Sequence, residues 1–290
     1  MTHRLGSWTP PDDADTALAL RGVHAGYPGT PGVLDCVSVT IGAGRRTAIL
    51  GANGSGKTTL LRVLSGAHAP AEGSVVSGGE VLRHTRRGLT AHRQRVQLVM
   101  QDPDDQLFSA DVRSDIGYGP ANLGLGAAET ASRVDEALAV LSLEELADRP
   151  VHRLSFGQRK RVAVAGALAM HPQVLLLDEP TAGLDPAGVE EMLAAVAALE
   201  AHGTTVVLST HDVDLAWRWA DEVALVVDHV VHQGEVTDAL TDGALVEAAR
   251  LRPPWSVQLL REMGIEPAAA SWPRTPGEVA GCLTRLEISG

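Results

Sequence analysis

Aromatic residues and cysteines are scarce in this sequence of 290 residues, which has 3% aromatics and two cysteines. Cys36 and Cys282 lie far apart without CxxC spacing, so neither a disulfide framework nor a cysteine zinc site is indicated. Basic residues are outnumbered, because 24 Lys and Arg stand against 36 Asp and Glu and give a net charge of −12. This balance predicts no nucleic-acid partner, since binding to phosphates relies on clustered basic side chains.

Long apolar runs are also lacking. The best of them, such as Val162 to Met170, fall short of the ~20 apolar residues that a membrane-spanning helix requires. The opening residues lack the basic, apolar and small-residue order of a signal peptide. We therefore expect a protein of the reducing cytoplasm, for which any role at a membrane would require another subunit.

Short apolar runs, partly β-branched, recur along the chain and predict buried strands. The runs are Ala17 to Val23, Thr47 to Leu50, Val96 to Met100, Val174 to Leu177, Thr204 to Leu208 and Val223 to Val227. Helical patterns lie between several of them; one places apolar residues on one face from Val189 to Leu199 and ends near Gly203. Strands alternating with helices predict an α/β fold whose largely parallel sheet is covered on both faces.

The strongest motif is a phosphate-binding loop that matches G-x-x-x-x-G-K-[ST] in full. Its residues are Gly51, Ala52, Asn53, Gly54, Ser55, Gly56, Lys57 and Thr58. A predicted strand precedes the loop, and residues 59–64 form the predicted helix that must follow it. We expect Lys57 to reach the β- and γ-phosphates of ATP and the Thr58 hydroxyl to bind Mg²⁺. The alternative is a glycine-rich turn before an ordinary helix.

A second motif is the apolar run Val174 to Leu177, which ends in Asp178 and Glu179. Downstream of a phosphate loop, Asp178 is expected to hold the Mg²⁺ shell. Glu179 is expected to act as general base toward the water that attacks the γ-phosphate. The alternative is a polar pair that simply ends a buried strand.

The segment Leu154-Ser155-Phe156-Gly157-Gln158 resembles the LSGGQ signature of ATP-binding-cassette proteins, with Phe156 in place of the usual glycine. Ser155 and Gln158 also form an S-x-x-Q capping box, so an ordinary helix start explains them equally well. The resemblance implies a dimer in which this helix start faces the γ-phosphate bound by the opposite subunit.

Further positions match the same family in order. The resemblance implies that Tyr27 stacks on adenine and that Gln101 senses Mg²⁺ and contacts a membrane partner. It also implies that Asp185 belongs to a loop crossing the dimer interface and that His211 touches the γ-phosphate. A core or surface aromatic is the alternative for Tyr27, and an N-cap before Pro186 is the alternative for Asp185.

The expected site is therefore assigned residue by residue. The catalytic residues are Glu179, His211, Gln101 and Lys57, and the Mg²⁺ ligands are Thr58, Gln101 and Asp178. The residues expected to bind ATP are Tyr27, Gly51, Asn53, Gly54, Ser55, Gly56, Lys57, Thr58, Thr59, Ser155, Gly157, Gln158 and Asp185.

The resemblance also implies a domain plan. Residues 1–16 are expected to form a flexible arm and residues 17–242 a P-loop NTPase cassette. The cassette should have a mostly parallel sheet, an antiparallel β part near the N-terminus and an inserted helical lobe at about residues 102–165. Residues 243–290, where several prolines interrupt the pattern, are expected to form a C-terminal extension.

The stretch from Gln101 to Leu125 is similar to the ATPases of energy-coupling-factor importers, which serve cobalt, nickel and vitamin uptake. This likeness implies a homodimer or a heterodimer of homologous ATPases at the cytoplasmic face of the membrane. The expected partners are a transmembrane coupling protein and a substrate-binding membrane subunit.

Three other functions share the same motifs. One is a soluble cassette ATPase of DNA repair or translation, which the acidic balance disfavours. Another is a scaffold ATPase for iron–sulfur assembly, and a third is an exporter or a different importer type. The first two lack a membrane partner, and only the partner's identity separates the third.

Overall fold

The computed structural model describes residues 3–4, 9–12, 14–268 and 271–289. The strands are β1 (His3–Arg4), β2 (Thr16–Tyr27), β3 (Thr30–Gly42), β4 (Thr47–Leu50), β5 (Glu72–Ser77), β6 (Glu80–Val81), β7 (Val96–Val99), β8 (Val174–Asp178), β9 (Thr205–Thr210), β10 (Glu222–Val227) and β11 (Val230–Glu235). The helices are α1 (Lys57–Leu64), α2 (Arg86–Arg95), α3 (Val112–Asn122), α4 (Ala127–Val140), α5 (Phe156–Leu168), α6 (Pro186–Ala201), α7 (Val213–Trp219), α8 (Val236–Thr241), α9 (Gly243–Ala248), α10 (Trp255–Glu262) and α11 (Pro276–Ser289).

Two sheets form the β structure. The larger has the order β1-β11-β10-β4-β9-β8-β7, and its strands from β10 to β7 run parallel. The smaller sheet, β3-β2-β5-β6, is antiparallel. The predicted α/β fold with a mostly parallel sheet and an N-terminal antiparallel part is confirmed.

The central strands are apolar because helices and the second sheet cover both of their faces. Every residue of β8, β9 and β10 is buried. One apolar core lies between the parallel sheet and helices such as α5, α6 and α7. A second core joins α1 to the antiparallel sheet. Strands β2, β4, β7, β8, β9 and β10 were therefore predictable as short apolar runs, whereas β1, β3, β5, β6 and β11 were not among the runs predicted from the sequence.

Parallel pairing brings the carboxyl ends of three strands together. Leu50 at the end of β4 pairs with Thr210 of β9, and Asp178 of β8 pairs with Ser209. The loop after β4, the pair Asp178–Glu179 and the residue that follows β9, His211, therefore share what we call the carboxyl edge of the sheet. Ligands of open parallel sheets bind at such an edge.

The predicted helical lobe is present between β7 and β8. It comprises α3, α4 and α5, which pack on one another through Ile116, Leu138 and Val162. Several sequence boundaries differ by a few residues; for example, β7 ends at Val99 rather than Met100, and α5 ends at Leu168 rather than Met170.

The terminal segments contact the cassette. His3–Arg4, in the predicted arm, pairs in parallel with β11. In the C-terminal extension, Val257, Leu260 and Trp272 belong to the same core as the parallel sheet. Within the described residues, no helix combines the length and apolarity needed to cross a bilayer.

Candidate functional site

The loop between β4 and α1 has the backbone that phosphate binding requires. Gly51, Gly54 and Gly56 all have positive φ, and Gly56, the N-cap residue before α1, has a φ of 111°, which residues with a Cβ rarely adopt. The hydroxyl of Ser55 is buried and has no hydrogen-bond partner among the described residues. A loop with free backbone donors at a helix N-terminus is a ready site for an anion.

Lys57 is the first residue of α1 and is 6% exposed. Its ammonium donates to the carbonyl of Gly51 at 2.8 Å and to that of Ala52 at 3.3 Å, so it folds back over the loop. The same Nζ lies 3.6 Å from the Glu179 carboxylate. Lys57 therefore places a positive charge between the loop and the acidic strand end.

Asp178 joins the acidic strand end to the loop. Thr58 donates its hydroxyl to Asp178 Oδ2 at 2.8 Å, and Ser209 donates its hydroxyl to Asp178 Oδ1. Ser209 was not among the predicted site residues. It could have been found from its position at the end of the buried strand beside β8, where a polar side chain needs a partner.

Glu179 is 5% exposed and follows the last residue of β8. Its carboxylate lies 3.0 Å from Nδ1 of His211, whose side chain is 56% exposed. The strand ends thus bring Lys57, Glu179 and His211 into contact although 154 positions separate the first from the last. These three predicted residues meet as expected.

Gln101 follows β7 and lines a cavity of about 440 Å³. The cavity's lining includes Thr58, Asp178, Gln101, Phe156 and Gly183. Gln101 is therefore placed with the two other residues expected to bind Mg²⁺.

Tyr27 lies at the end of β2, where its hydroxyl meets the side chains of Thr59 at 3.4 Å and Arg62 at 3.5 Å. Its ring packs on His68 with centroids 4.8 Å apart. Tyr27 is thus attached to the helix that follows the phosphate loop. Its contact with adenine stays a prediction.

The signature segment begins α5 with the expected capping box. The Gln158 backbone donates to Ser155 Oγ at 3.2 Å, and the Ser155 backbone donates to the Gln158 side chain at 2.9 Å. Within the described residues, Ser155, Gly157 and Gln158 do not line the cavity beside Asp178. Among the described residues, none of the three donates or accepts a hydrogen bond with the phosphate loop of the same chain, although Phe156, which lies between Ser155 and Gly157, lines the cavity with Thr58.

Asp185 caps α6, accepting a hydrogen bond from the backbone of Gly188 at 2.7 Å, and Pro186 is the first helical residue. The Asp185 side chain is exposed in the single chain. Exposure is expected for a residue that contacts another subunit only in a dimer. Asp185 thus acts as the N-cap that the sequence offered as the alternative to a role at an interface. Its contact across a dimer stays a prediction.

Comparisons with known proteins agree with this geometry. A family model described as ABC transporter matches residues 34–182. The cobalt import ATP-binding protein CbiO of Rhodobacter capsulatus is 50% identical over 243 residues, which cover 83% of this chain and 87% of that protein. The energy-coupling factor transporter ATP-binding protein EcfA of Methanoculleus marisnigri is 45% identical over 249 residues, covering 85% of this chain and 89% of that protein.

A solved structure is similar along most of its length. The structure of cbiO1 from Clostridium perfringens, described as part of the ABC transporter complex cbiONQ, has a TM-score of 0.74 and 37% identity. The match covers 85% of this chain and 99% of that chain. The likeness therefore extends over the sheets and the helical lobe together.

Proposed function

The chain belongs to the ABC transporter ATP-binding family, and from this premise we propose that it is the ATPase subunit of an energy-coupling-factor importer for cobalt, nickel or a vitamin. The observation that carries the hydrolytic role is that the Glu179 carboxylate, at the carboxyl edge, lies 3.6 Å from Lys57 Nζ and 3.0 Å from His211 Nδ1. The names of the similar proteins support the importer class.

Hydrolysis needs a base next to the γ-phosphate, and Glu179 fits that task. Its carboxylate accepts from His211 and lies near Lys57, so its orientation is fixed before ATP arrives. Lys57 exchanges the carbonyls of Gly51 and Ala52 for the β- and γ-phosphates, because an ammonium pairs more strongly with anions than with neutral carbonyls. Glu179 then takes a proton from the attacking water, and His211 holds the carboxylate and the γ-phosphate together.

The residues around Asp178 fit Mg²⁺. Thr58, Asp178 and Gln101 line one cavity, and each has a side-chain oxygen, the kind of ligand that Mg²⁺ prefers. The Thr58 hydroxyl already lies 2.8 Å from Asp178, so both reach the same point. When bound, Mg²⁺ would neutralise charge that develops on the phosphates. Ser209 keeps the second oxygen of Asp178 occupied and so fixes the side chain.

A second ATPase subunit completes the site. Ser155, Gly157 and Gln158 do not line the cavity beside Asp178, and their capped helix start is an anion site of its own. We infer that this helix start serves the nucleotide of the other subunit and that Asp185 crosses between the two. One chain carries both half-sites, by which we mean the phosphate loop with its acidic strand end and the signature segment at the start of α5. A homodimer is therefore sufficient, and a homologous heterodimer is also compatible.

The surface for a membrane partner is an apolar groove of about 580 Å³ between β7, α3 and α5. Phe108 and Tyr118 stand beside it, 65% and 52% exposed, with ring centroids 4.6 Å apart in an edge-to-face pair. The chain has only two Phe and two Tyr, so exposing one of each at a groove is unusual. Asp115 accepts the backbone N–H groups of Phe108 and Ser109 at 3.0 and 2.7 Å and holds this loop in place.

We propose that a helix of the transmembrane coupling protein fills this groove and brings the ATPase to the cytoplasmic face of the membrane. Closure of the dimer on ATP, and its opening after hydrolysis, would then move the membrane subunits. In this arrangement the substrate-binding membrane subunit selects the cargo.

The test is to co-express an affinity-tagged chain with each membrane protein encoded beside it and to measure retention and ATPase activity. We expect a helical membrane protein to co-purify and to accelerate hydrolysis. Phe108→Ser should lower its retention while leaving the basal ATPase rate of the free chain intact. Met263→Ser, at another exposed apolar side chain, is the matched control. A chain that hydrolyses ATP but retains no membrane protein would favour the soluble scaffold function instead.

A further inference from the structure

The two lysines of the chain both contact Glu179. Lys57 and Lys160 are the only lysines among its 24 Lys and Arg residues. Both are buried, at 6% and 3% exposure. Lys57 lies near the Glu179 carboxylate, whereas Lys160 donates to the Glu179 backbone carbonyl at 2.8 Å and to that of Pro180 at 3.1 Å. A chain that otherwise uses arginine thus has one lysine at the Glu179 carboxylate and the other at the Glu179 backbone carbonyl.

The backbone of Glu179 needs such support. Its φ of 47° lies in the left-handed region, which is unfavourable for a residue with a side chain. Such conformations persist where neighbouring groups fix them. On the sheet side, the N–H of Glu179 donates to the Ser209 carbonyl at 3.2 Å and to its hydroxyl at 3.1 Å. On the other side, Lys160 holds the carbonyl.

The chemistry of this position favours an ammonium group. Its donors point in tetrahedral directions and reach two carbonyls from one small group, whereas a guanidinium is larger and planar. Burial lowers the pKa of Lys160 to about 8, an effect that the nearby carboxylates of Glu179, Asp102 and Asp178 oppose. Keeping a charge in a buried place is costly, so its retention points to a role beyond packing.

Phe156 helps to enclose Lys160. Its ring centroid lies 5.4 Å from the Lys160 Nζ, within the range of a cation–π contact. A Cβ on Gly183, whose φ is 76°, would lie 3.1 Å from Phe156 Cε1, so the ring fills the space that a side chain there would need. The substitution of Phe for glycine in the signature therefore ties the start of α5 to the loop after Glu179.

We propose that Lys160 is a positioning residue for ATP hydrolysis, which holds the carbonyls of Glu179 and Pro180 and keeps the Glu179 carboxylate between Lys57 and His211. The proposal rests on the hydrolytic role proposed above. It also links the two half-sites of one chain, because α5 carries Ser155 at its start and Lys160 one turn later. A displacement of this helix start would be transmitted to Glu179 through a single side chain.

The test is steady-state ATP hydrolysis by the purified complex, with ATP affinity measured separately by a fluorescent nucleotide. Lys160→Met keeps the length of the side chain and removes its donors. We expect kcat to fall roughly 10- to 100-fold, since small misplacements of a catalytic group have effects of this size. KM and nucleotide affinity should change less than about twofold, because Glu179 acts in the chemical step.

Two further variants complete the design. Lys160→Gln retains N–H donors and should recover part of kcat. Arg161→Met removes a cation from the same helix, one that pairs with Glu191 at 3.2 Å, and should leave kcat within about twofold. If Lys160→Met does not fold, the kcat and KM of Lys160→Gln relative to the wild type decide the question.

Wild-type kcat in Lys160→Met, or an equal loss of kcat, affinity and thermal stability in both Lys160 variants, would overturn the positioning role. A wild-type complex without ATP turnover would instead overturn the proposed function, and the role of Lys160 would be lost with it.

Discussion

The carboxyl edge and the C-terminal extension each contain buried polar groups, but the groups differ in charge. At the carboxyl edge, Lys57, Lys160 and Glu179 are ionisable and nearly inaccessible, and Glu179 has a left-handed backbone. Where the extension meets α7, the Trp217 indole donates to the Ser256 hydroxyl at 3.1 Å and to the Pro273 carbonyl at 3.2 Å, and all three groups are neutral.

This difference in charge predicts which substitutions reduce turnover and which reduce stability. Buried charges and strained backbone reduce the free energy of unfolding and are kept for chemistry. Neutral groups that satisfy one another inside an apolar core stabilise the fold. We therefore expect changes at the carboxyl edge to affect turnover with little loss of stability, and changes under the extension to have the opposite effect.

The largest expected effect is that of Glu179→Gln at the carboxyl edge. Loss of the general base should lower kcat about 1,000-fold while ATP still binds, because the glutamine cannot accept the proton from water. The variant should accumulate as an ATP-bound dimer in size-exclusion chromatography, with a melting temperature close to that of the wild type. Glu190→Gln, at an exposed ion pair with Arg218, is the control. Hydrolysis at the wild-type rate would remove Glu179 from the role of base.

Trp217→Phe, where α7 meets the C-terminal extension, should reduce stability without reducing turnover. Trp217 is fully buried, and its replacement leaves a void and removes the indole N–H. We expect a loss of about 2 kcal/mol in the free energy of unfolding by urea denaturation, with kcat per folded molecule unchanged. Trp255→Phe, at a tryptophan that is 37% exposed, should lose much less. A fall in kcat without loss of stability would show that the extension takes part in catalysis.

A double-mutant cycle with Ser256→Ala tests whether the stabilisation comes from the hydrogen bonds. Ser256 is fully buried and donates to the Pro273 carbonyl at 2.7 Å while accepting from Trp217. We expect a coupling energy of about 1 kcal/mol between Trp217→Phe and Ser256→Ala. Additive losses would mean that apolar packing alone fixes the extension.

The same contrast explains which features were predictable from the sequence. Phosphates and Mg²⁺ require fixed residue types at fixed spacing, so roles for Lys57, Thr58 and Asp178 could be predicted before the fold was known, and the structure brings the three residues together. Lys160 could not, because a lysine in a helix is normally exposed and its burial depends on the position of Glu179 in the folded chain.

The C-terminal extension carries no comparable motif. The partners of Trp217 lie 39 and 56 positions away along the chain, and contacts between neutral groups impose no spacing on the sequence. The proline-rich pattern was enough to indicate an extension, but not that it would share the core of the cassette.

The last expected effect is on the pH dependence of stability, and it distinguishes a buried charge from a neutral group. Because the pKa of Lys160 is lowered to about 8 in the folded chain, the unfolded chain holds the proton more tightly. The free energy of unfolding should therefore rise with pH between about 8 and the ordinary lysine value of about 10.4, and the cost of the buried charge is fully present below that window. Lys160→Met lacks this contribution, so the wild type should gain stability relative to it as pH rises through about 8 to 9 in urea denaturation. A difference that stays constant over this range would mean that Lys160 holds its proton as tightly in the folded chain as in the unfolded one, so that burial does not penalise its charge, and the carboxyl edge would then resemble the extension.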